Sequence, residues 1–348
     1  MTIQAYGEAA KTWISRHRGQ RPHFVCTLGF TETALIPGIS AAGATPEDRR
    51  YTALADAEFL AFGVQKKPTY PLPPLTAGVS PALISRAIVT ALDIPLTIVN
   101  AATSHPPVTC LDLQQSPARC VSTGAAMTRV QVETVFEAGL SWGKRWGRGA
   151  DYLVLGECVV GGTTTALAVL LGLGIDAIGL VNSSHASCNH GQKAAIARQG
   201  LSRLYVPVTD VFTLMAAVGD PMQPFVAGVA IGASPHCGVM LAGGTQMLAV
   251  YGLARRLEPK LDRLVVGTTR WVMDDPTGNT LELAKRLGNV PLVATKMNFS
   301  QSRYPQLQRY EQGYVKEGVG AGGMAIAAHL LAHWEDRDYL TAIEALMG

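Results

Sequence analysis

The sequence predicts an α/β fold: a Rossmann-like, mostly parallel sheet flanked by helices, with a small helical lobe built from both chain termini. Three observations predict it. Short apolar runs alternate with longer helical patterns along the 348 residues. The runs are bounded by Gly, Pro or polar residues, as buried parallel strands are. Two glycine-rich turns lead directly into apolar helices.

Strands are expected at His23–Leu28, Leu96–Asn100, Tyr152–Leu155, Ala177–Val181, Leu264–Gly267 and Leu292–Thr295. Helical patterns include Glu47–Phe62, Ala82–Leu92, Arg129–Trp146, Thr163–Leu173, Gln192–Gln199 and Gly238–Arg256. This alternation argues for a sheet covered on both faces. Residues 21–317 are expected to form the α/β domain. Residues 1–20 and 318–348 are helical with no strand following, and together make the lobe. Lys66–Pro74 and His105–Cys120 read as excursions at the sheet edge.

Composition narrows the function classes. Hydrophobic residues make up 48% and charged residues 16%, enough apolar surface for a large core. The apolar stretch Ala166–Val181 is interrupted by Gly172, Gly174 and Asp176, and Phe225–Val250 by Pro235, His236 and several glycines, so neither reads as a membrane span. The amino terminus has no apolar segment of the kind a secretory signal needs. Six cysteines (Cys26, Cys110, Cys120, Cys158, Cys188 and Cys237) show no CxxC and no regular spacing, which predicts reduced thiols and the cytoplasm. A net charge of +3 with no basic tract argues against nucleic acid and leaves enough positive charge for one or two anionic small molecules.

In GECVVGGTTTALAVL, the arrangement Gly156-x4-Gly161-Gly162-Thr163 is a phosphate-binding loop with glycine where the lysine should stand. Gly161 and Gly162 let the backbone approach a ligand, and amides at the helix start can point at an anion. Thr163 or Thr164 can cap the helix. Without the lysine this suits a monophosphate better than a triphosphate; tight strand–helix packing is the competing explanation. Glu157, just past a buried strand, faces the crevice where open α/β sheets bind ligands. A second cradle, Lys316-Glu317-Gly318-Val319-Gly320-Ala321-Gly322-Gly323, again couples a carboxylate to a glycine-rich helix entrance. A carboxylate beside a phosphate nest repels the ligand, so it belongs there for a hydroxyl or for proton transfer.

These residues resemble the nicotinate-nucleotide–dimethylbenzimidazole phosphoribosyltransferase family of cobalamin nucleotide-loop assembly. GECVVGGTTT is similar to its Gly-Glu-Met-Gly-Ile-Gly-Asn-Thr-Thr stretch, and Gly124-Ala-Ala-Met-Thr-Arg129 to its Gly-Pro-Ala-Met-Thr-Arg helix entrance. Gly191-Gln-Lys193-Ala is similar to the segment carrying the family's lysine, and KEGVGAGG to its Gly-Glu-Gly-Thr-Gly turn. The likeness runs in order from about residue 95 to 334. Segments 29–50 and 233–257 look like a divergent branch. The resemblance implies transfer of ribose 5-phosphate from nicotinate mononucleotide to a nitrogenous base, a benzimidazole or purine, giving an α-linked nucleotide. It implies Glu317 as general base and Glu157 beside the ribose. Gly161, Gly162, Thr163, Lys193, Gly318, Val319 and Gly320 would hold the phosphate, and Thr164 would be a further substrate-binding residue. No metal and no cofactor are expected, nor any nucleic-acid or membrane partner; a homodimer is.

The sequence also departs from that pattern. The family's Asn in Gly-Asn-Thr-Thr is Gly162 here, and the Asp-His-Gly and early Gly-Ser-Leu-Gly segments have no counterpart, which leaves the accepted base open. Ser80 is a candidate for that wall of the pocket. His185, Cys188, His190, His236 and Cys237 are five zinc-ligand types at no familiar spacing, and read as polar loop residues. The stretch 296–314 mixes Lys and Arg with Phe and Tyr; a solvated lid or dimer contact is expected rather than a nucleic-acid surface. A nucleotide-binding regulator and an inactive family member remain as alternatives.

Overall fold

The computed structural model describes residues 2–73 and 78–348. Of the segments singled out above, Met1 and Pro74 fall outside the described residues. Eight strands form one sheet: β1 (Ile3–Tyr6), β2 (Pro22–Gly29), β3 (Leu96–Ala102), β4 (Leu111–Asp112), β5 (Tyr152–Cys158), β6 (Gly238–Ala242), β7 (Leu264–Thr268) and β8 (Leu292–Thr295). Their order is β1-β8-β7-β6-β5-β2-β3-β4. All neighbours are parallel except the antiparallel edge pair β1 and β8. From β2 the chain moves outward through β3 and β4, then returns to β5 and moves outward the other way. The order therefore reverses between β2 and β5, where Glu157 lies opposite Thr27. In open parallel sheets the crevice at such a reversal, outside the carboxyl ends of the strands, is where ligands bind.

Side chains alternate across the sheet with period two and fill two separate cores. Val25, Val99, Leu153, Leu155, Val239 and Leu241 face one layer, which includes the helices Arg129–Gly147, Gly162–Gly172, Met222–Ala233 and Thr245–Leu257. Phe24, Cys26, Leu28, Tyr152, Val154 and Met240 face the other, which includes Glu8–His17, Arg49–Phe62, Ala82–Ala91 and Ala321–Ala332. Each fully buried Leu, Val or Phe contributes roughly 1.5–3 kcal/mol of transfer free energy. No helix among the described residues is long and apolar enough to cross a membrane.

The mostly parallel sheet flanked by helices is the architecture the sequence predicts. Several elements differ from expectation. Ala177–Val181 is a turn with buried ends, not a strand, because Gly174 and Gly179 adopt positive φ of 85° and 78° and keep the chain from extending. The first five residues of the expected helix Gly238–Arg256 form strand β6, stopped by Gly243-Gly244 before the helix begins at Thr245. A central strand buried on both faces carries no alternation to distinguish it from a buried helix. The helix Met222–Ala233, apolar apart from Gln223, escapes periodicity for the same reason.

The chain ends do meet, Gly19 N–H donating to Leu330 O at 2.9 Å. They are joined to the sheet rather than set apart from it. Residues 3–6 supply its antiparallel edge strand. The helix Ala321–Ala332 packs beneath the central strands in the same core as Val154, Met240 and Val265.

Candidate active site

A cavity of about 450 Å³ opens at the carboxyl ends of the central strands. Four chain segments build its inner surface: Glu157–Thr163 at the end of β5, Gly244–Gln246 after β6, Asn182–Ser184, and Lys316–Val319 before the last buried helix. Asp56, Leu72, Pro73, Val79, Ser80 and Pro81 form a further wall.

The two glutamate turns meet there. Val319 N–H donates to the Glu157 main-chain oxygen at 2.9 Å. Gly156 and Gly320 lie back to back: a methyl group on Gly156 would sit 2.9 Å from the Gly320 Cα. No side chain larger than hydrogen permits this approach. Gly161 (φ 81°) turns the chain into the helix Gly162–Gly172. Among the described residues, no acceptor is paired with the N–H of Gly161 or Thr163. Unpaired amides at a helix start favour an anion. On the other turn, Val315, Lys316 and Val319 all hold positive φ (67°, 69° and 51°), a conformation costing of order 1–3 kcal/mol each and concentrated at functional sites.

The carboxylates differ in their bonding. Glu317 is saturated. One oxygen accepts from Thr268 Oγ1 (3.2 Å) and Thr269 N–H (3.0 Å), the other from the N–H groups of Gly318 (3.1 Å) and Gly322 (3.0 Å). Burial pushes its pKa up to about 7 against the pull of these donors. Glu157 is 5% exposed, and its Oε2 accepts from Val159 N–H at 2.9 Å. Burial pushes it to about 8, with the charges of Asp220 and Glu317 adding to the rise. Near neutral pH both carboxyls therefore hold protons part of the time, which eases their repulsion of a phosphate.

The remaining expected residues sort by position. Ser80, Gly161, Gly162, Thr163, Gly318 and Val319 line the cavity; Thr164, Lys193 and Gly320 do not. Thr164 is fully buried behind Thr163. Gly320 is turned against Gly156 and Phe24. Lys193 is a correction to the direct phosphate contact expected of it. The side chain is completely buried and donates to Asn182 O at 2.5 Å, behind the Asn182–Ser184 wall. Burial lowers its pKa to about 8. Lys316 does reach the cavity, but its ammonium is taken up by Asp275 (2.6 Å) and the carbonyls of Ser183 and His185. Burial would raise the Asp275 pKa, yet Lys316, Asn182 and Thr277 hold it down at about 2.

His185 and His190 pair with the carbonyls of Gly38 and Thr277, and Cys188 with Asp275. His236 and Cys237 precede β6, at the opposite end of the sheet. Among the described residues, no group of three or more His, Cys, Asp or Glu is placed to hold a metal. The stretch 296–314, expected as a solvated lid, mixes two environments: Lys296, Arg303 and Arg309 are exposed. Phe299 and Tyr310 are buried against Trp271, with ring centroids 4.9 and 4.8 Å away.

Gly244, Thr245, Gln246 and Asp56 also line the cavity and are not among the residues expected there. Gly243-Gly244-Thr245 repeats the Gly161-Gly162-Thr163 pattern after the next strand, a signal that was available, and it delivers Gln246 to the cavity. A Cβ on Gly162 would fall 1.8 Å from Gln246 Oε1, so Gln246 fills the room above Gly162. Asp56 interrupts a buried face with Ala53 and Leu60, and bonds Cys158 of the β5 end.

A family model described as Phosphoribosyltransferase (DBI_PRT) matches residues 83–301. The chain belongs to the DBI_PRT phosphoribosyltransferase family. A UPF0284 protein of Trichodesmium erythraeum is 56% identical over 354 residues, covering 98% of this chain and 96% of the relative. One from Microcystis aeruginosa is 55% identical over 348 residues, with 98% and 96% covered. The fold matches crystal structures from Thermus thermophilus. CobT superimposes with TM-score 0.67 at 18% identity, over 98% of this chain and 90% of that one. A nicotinate-nucleotide–dimethylbenzimidazole phosphoribosyltransferase gives 0.63 at 19%, over 98% and 89%. Membership of the phosphoribosyltransferase family and this fold together support a glycosyltransferase-type enzyme.

Proposed function

We propose that the chain transfers the ribose 5-phosphate of nicotinate mononucleotide to a nitrogenous base, releasing nicotinate and forming an α-linked nucleotide. The supporting observation is the convergence of Glu157 and Glu317, with their two amide-lined turns, on one cavity. The turn Gly161–Thr163 binds the phosphate through backbone amides and the Thr163 hydroxyl, an assignment that needs no lysine. Nicotinate leaves readily, so alignment of the attacking nitrogen with ribose C1′ and one proton acceptor suffice. In the step, the base nitrogen bonds to C1′, the C1′–nicotinate bond breaks, and the base's ring proton passes to a carboxylate.

The family resemblance assigns that proton to Glu317. Its four hydrogen bonds favour a second assignment: Glu157 takes the proton, and Glu317 fixes the turn on which the cavity depends. We further propose a cobamide lower-ligand nucleotide as the product and a homodimer as the working form. The experiment is incubation with nicotinate mononucleotide and a panel of benzimidazoles and purines, followed by mass analysis of the products. Release of nicotinate with a new nucleotide supports the proposal. Binding of nicotinate mononucleotide with no product under any acceptor would leave a nucleotide-binding protein and refute the transfer.

A further inference from the structure

Asp56 lies on the cavity wall, outside the machinery described so far. It projects from the helix Arg49–Phe62 on the face of Ala53 and Leu60, and is 5% exposed. A carboxylate in such surroundings is costly unless hydrogen-bonded. Its partners among the described residues are Ser80, whose hydroxyl donates to Oδ1 at 2.5 Å, and Cys158, whose thiol donates to Oδ2 at 3.2 Å. No cation is paired with it among the described residues. A carboxylate offers about four lone-pair sites, so acceptor capacity remains. All three of these residues line the cavity, and the neighbouring wall is apolar: Leu72, Val79, Pro81 and Val315. Through Cys158, Asp56 is one residue removed from Glu157.

An apolar wall suits a flat aromatic ring, and an acceptor-only group on that wall suits an N–H on the ring's edge. We propose that Asp56 selects the accepted base by taking a hydrogen bond from an exocyclic amino group, so that the acceptor class is amino-bearing heteroaromatic bases. This rests on the transfer reaction proposed above. Ser80 then acts as a positioning residue: its hydroxyl fixes Asp56 and also caps the amide of Ala82 at the start of the next helix. A site built to receive an N–H discriminates against the analogue that lacks it, because its own buried acceptor is left unpaired.

The test is equilibrium binding of adenine and of purine, its amino-free counterpart, to the full chain at pH 8. Burial raises the Asp56 carboxyl to about 6, so it is ionised under these conditions. The wild type should bind adenine ~10- to 100-fold more tightly, the range of a hydrogen bond to a charged acceptor. Asp56→Leu should bring the two affinities within about threefold of each other, and Asp56→Asn, which keeps the shape without the charge, should reduce the preference. Nicotinate mononucleotide binding reports whether each variant is folded. Equal binding of the two bases by the wild type, binding of neither, or a preference surviving both substitutions overturns the assignment. Product analysis with the same bases is a separate readout: an amino preference without product sinks the transfer reaction and leaves Asp56 standing.

Discussion

Val319 and Glu157 are joined by a 2.9 Å hydrogen bond between main chains, linking the end of the central strand β5 to the turn that enters the last buried helix. The two carboxylates thereby face one cavity. The division of labour between them is the first thing to measure. In Glu317→Gln, a donor-only NH2 would confront two of the four N–H or O–H donors now satisfied by the carboxylate. Each buried donor left unpaired costs ~1–3 kcal/mol, so this variant should lose thermal stability and nucleotide affinity together with turnover. Glu157→Gln should keep nucleotide affinity within a few-fold while turnover falls ~10²–10⁴, the usual general-base contribution. Calorimetric titration beside single-turnover rates separates the two; the reverse pattern would return the proton to Glu317.

Proton linkage gives a second expectation. Glu157 and Glu317 have folded values of about 8 and about 7 against 4.5 for an ordinary glutamate. Both therefore bind protons more tightly in the folded chain. Their stabilisation is complete below pH 4.5 and is lost as pH rises through about 7 and 8. The urea midpoint should decline across that window, and less steeply in Glu157→Gln. Turnover should move the other way, rising as Glu157 loses its proton.

Gly162 and Gln246 make a coupled pair. Gly162→Ala places a methyl group within 1.8 Å of Gln246 Oε1 and should weaken nucleotide binding. Adding Gln246→Ala should restore much of the loss, giving a coupling of ~0.5–3 kcal/mol in a double-mutant cycle. Additive effects would show that the side chain yields freely.

Lys193 is expected to act through the wall it supports. Lys193→Ala should lower the melting temperature and reduce affinity for nicotinate mononucleotide by a factor nearly independent of ionic strength. A direct ammonium–phosphate contact would instead give an effect that shrinks in high salt. Titrations at two salt concentrations decide it.

Lys316 and Asp275 form an ion pair whose side chains are 3% and 1% exposed. Removing one partner of such a pair leaves an uncompensated buried charge, at a cost of ~3–5 kcal/mol. Lys316→Met should therefore destabilise the chain strongly, and Lys316→Met with Asp275→Leu less so, as read by denaturant unfolding.

The sequence carries the site's backbone more plainly than its walls. Glu157 and Glu317 stand beside glycine-rich helix entrances, where local spacing alone announces an anion cradle. The alternation of strand and helix likewise predicts the sheet. β6 is hidden because Gly238–Ala242 is apolar on both faces and runs into another apolar helix, and β1 because a four-residue edge strand has too few neighbours in sequence to show a period. Lys193 misleads because a lysine near a glycine turn suggests an exposed charge, whereas packing buries it. Asp56 comes from a helix distant in sequence and becomes a site residue only through tertiary contact, whereas Gln246 follows the glycine pair Gly243-Gly244, a local signal like that at Gly161-Gly162. The local trace of Asp56 is an acid one turn from Ala53 and Leu60 on a buried stretch of helix.

The contact of Gly156 with Gly320 also bears on how the protein is made. Tyr314–Val319 line the pocket from a segment far along the chain from Glu157, so a nascent chain that has not yet released them lacks that side of it. A product stopped before Glu317 would lack that carboxylate and the glycine turn that meets Gly156.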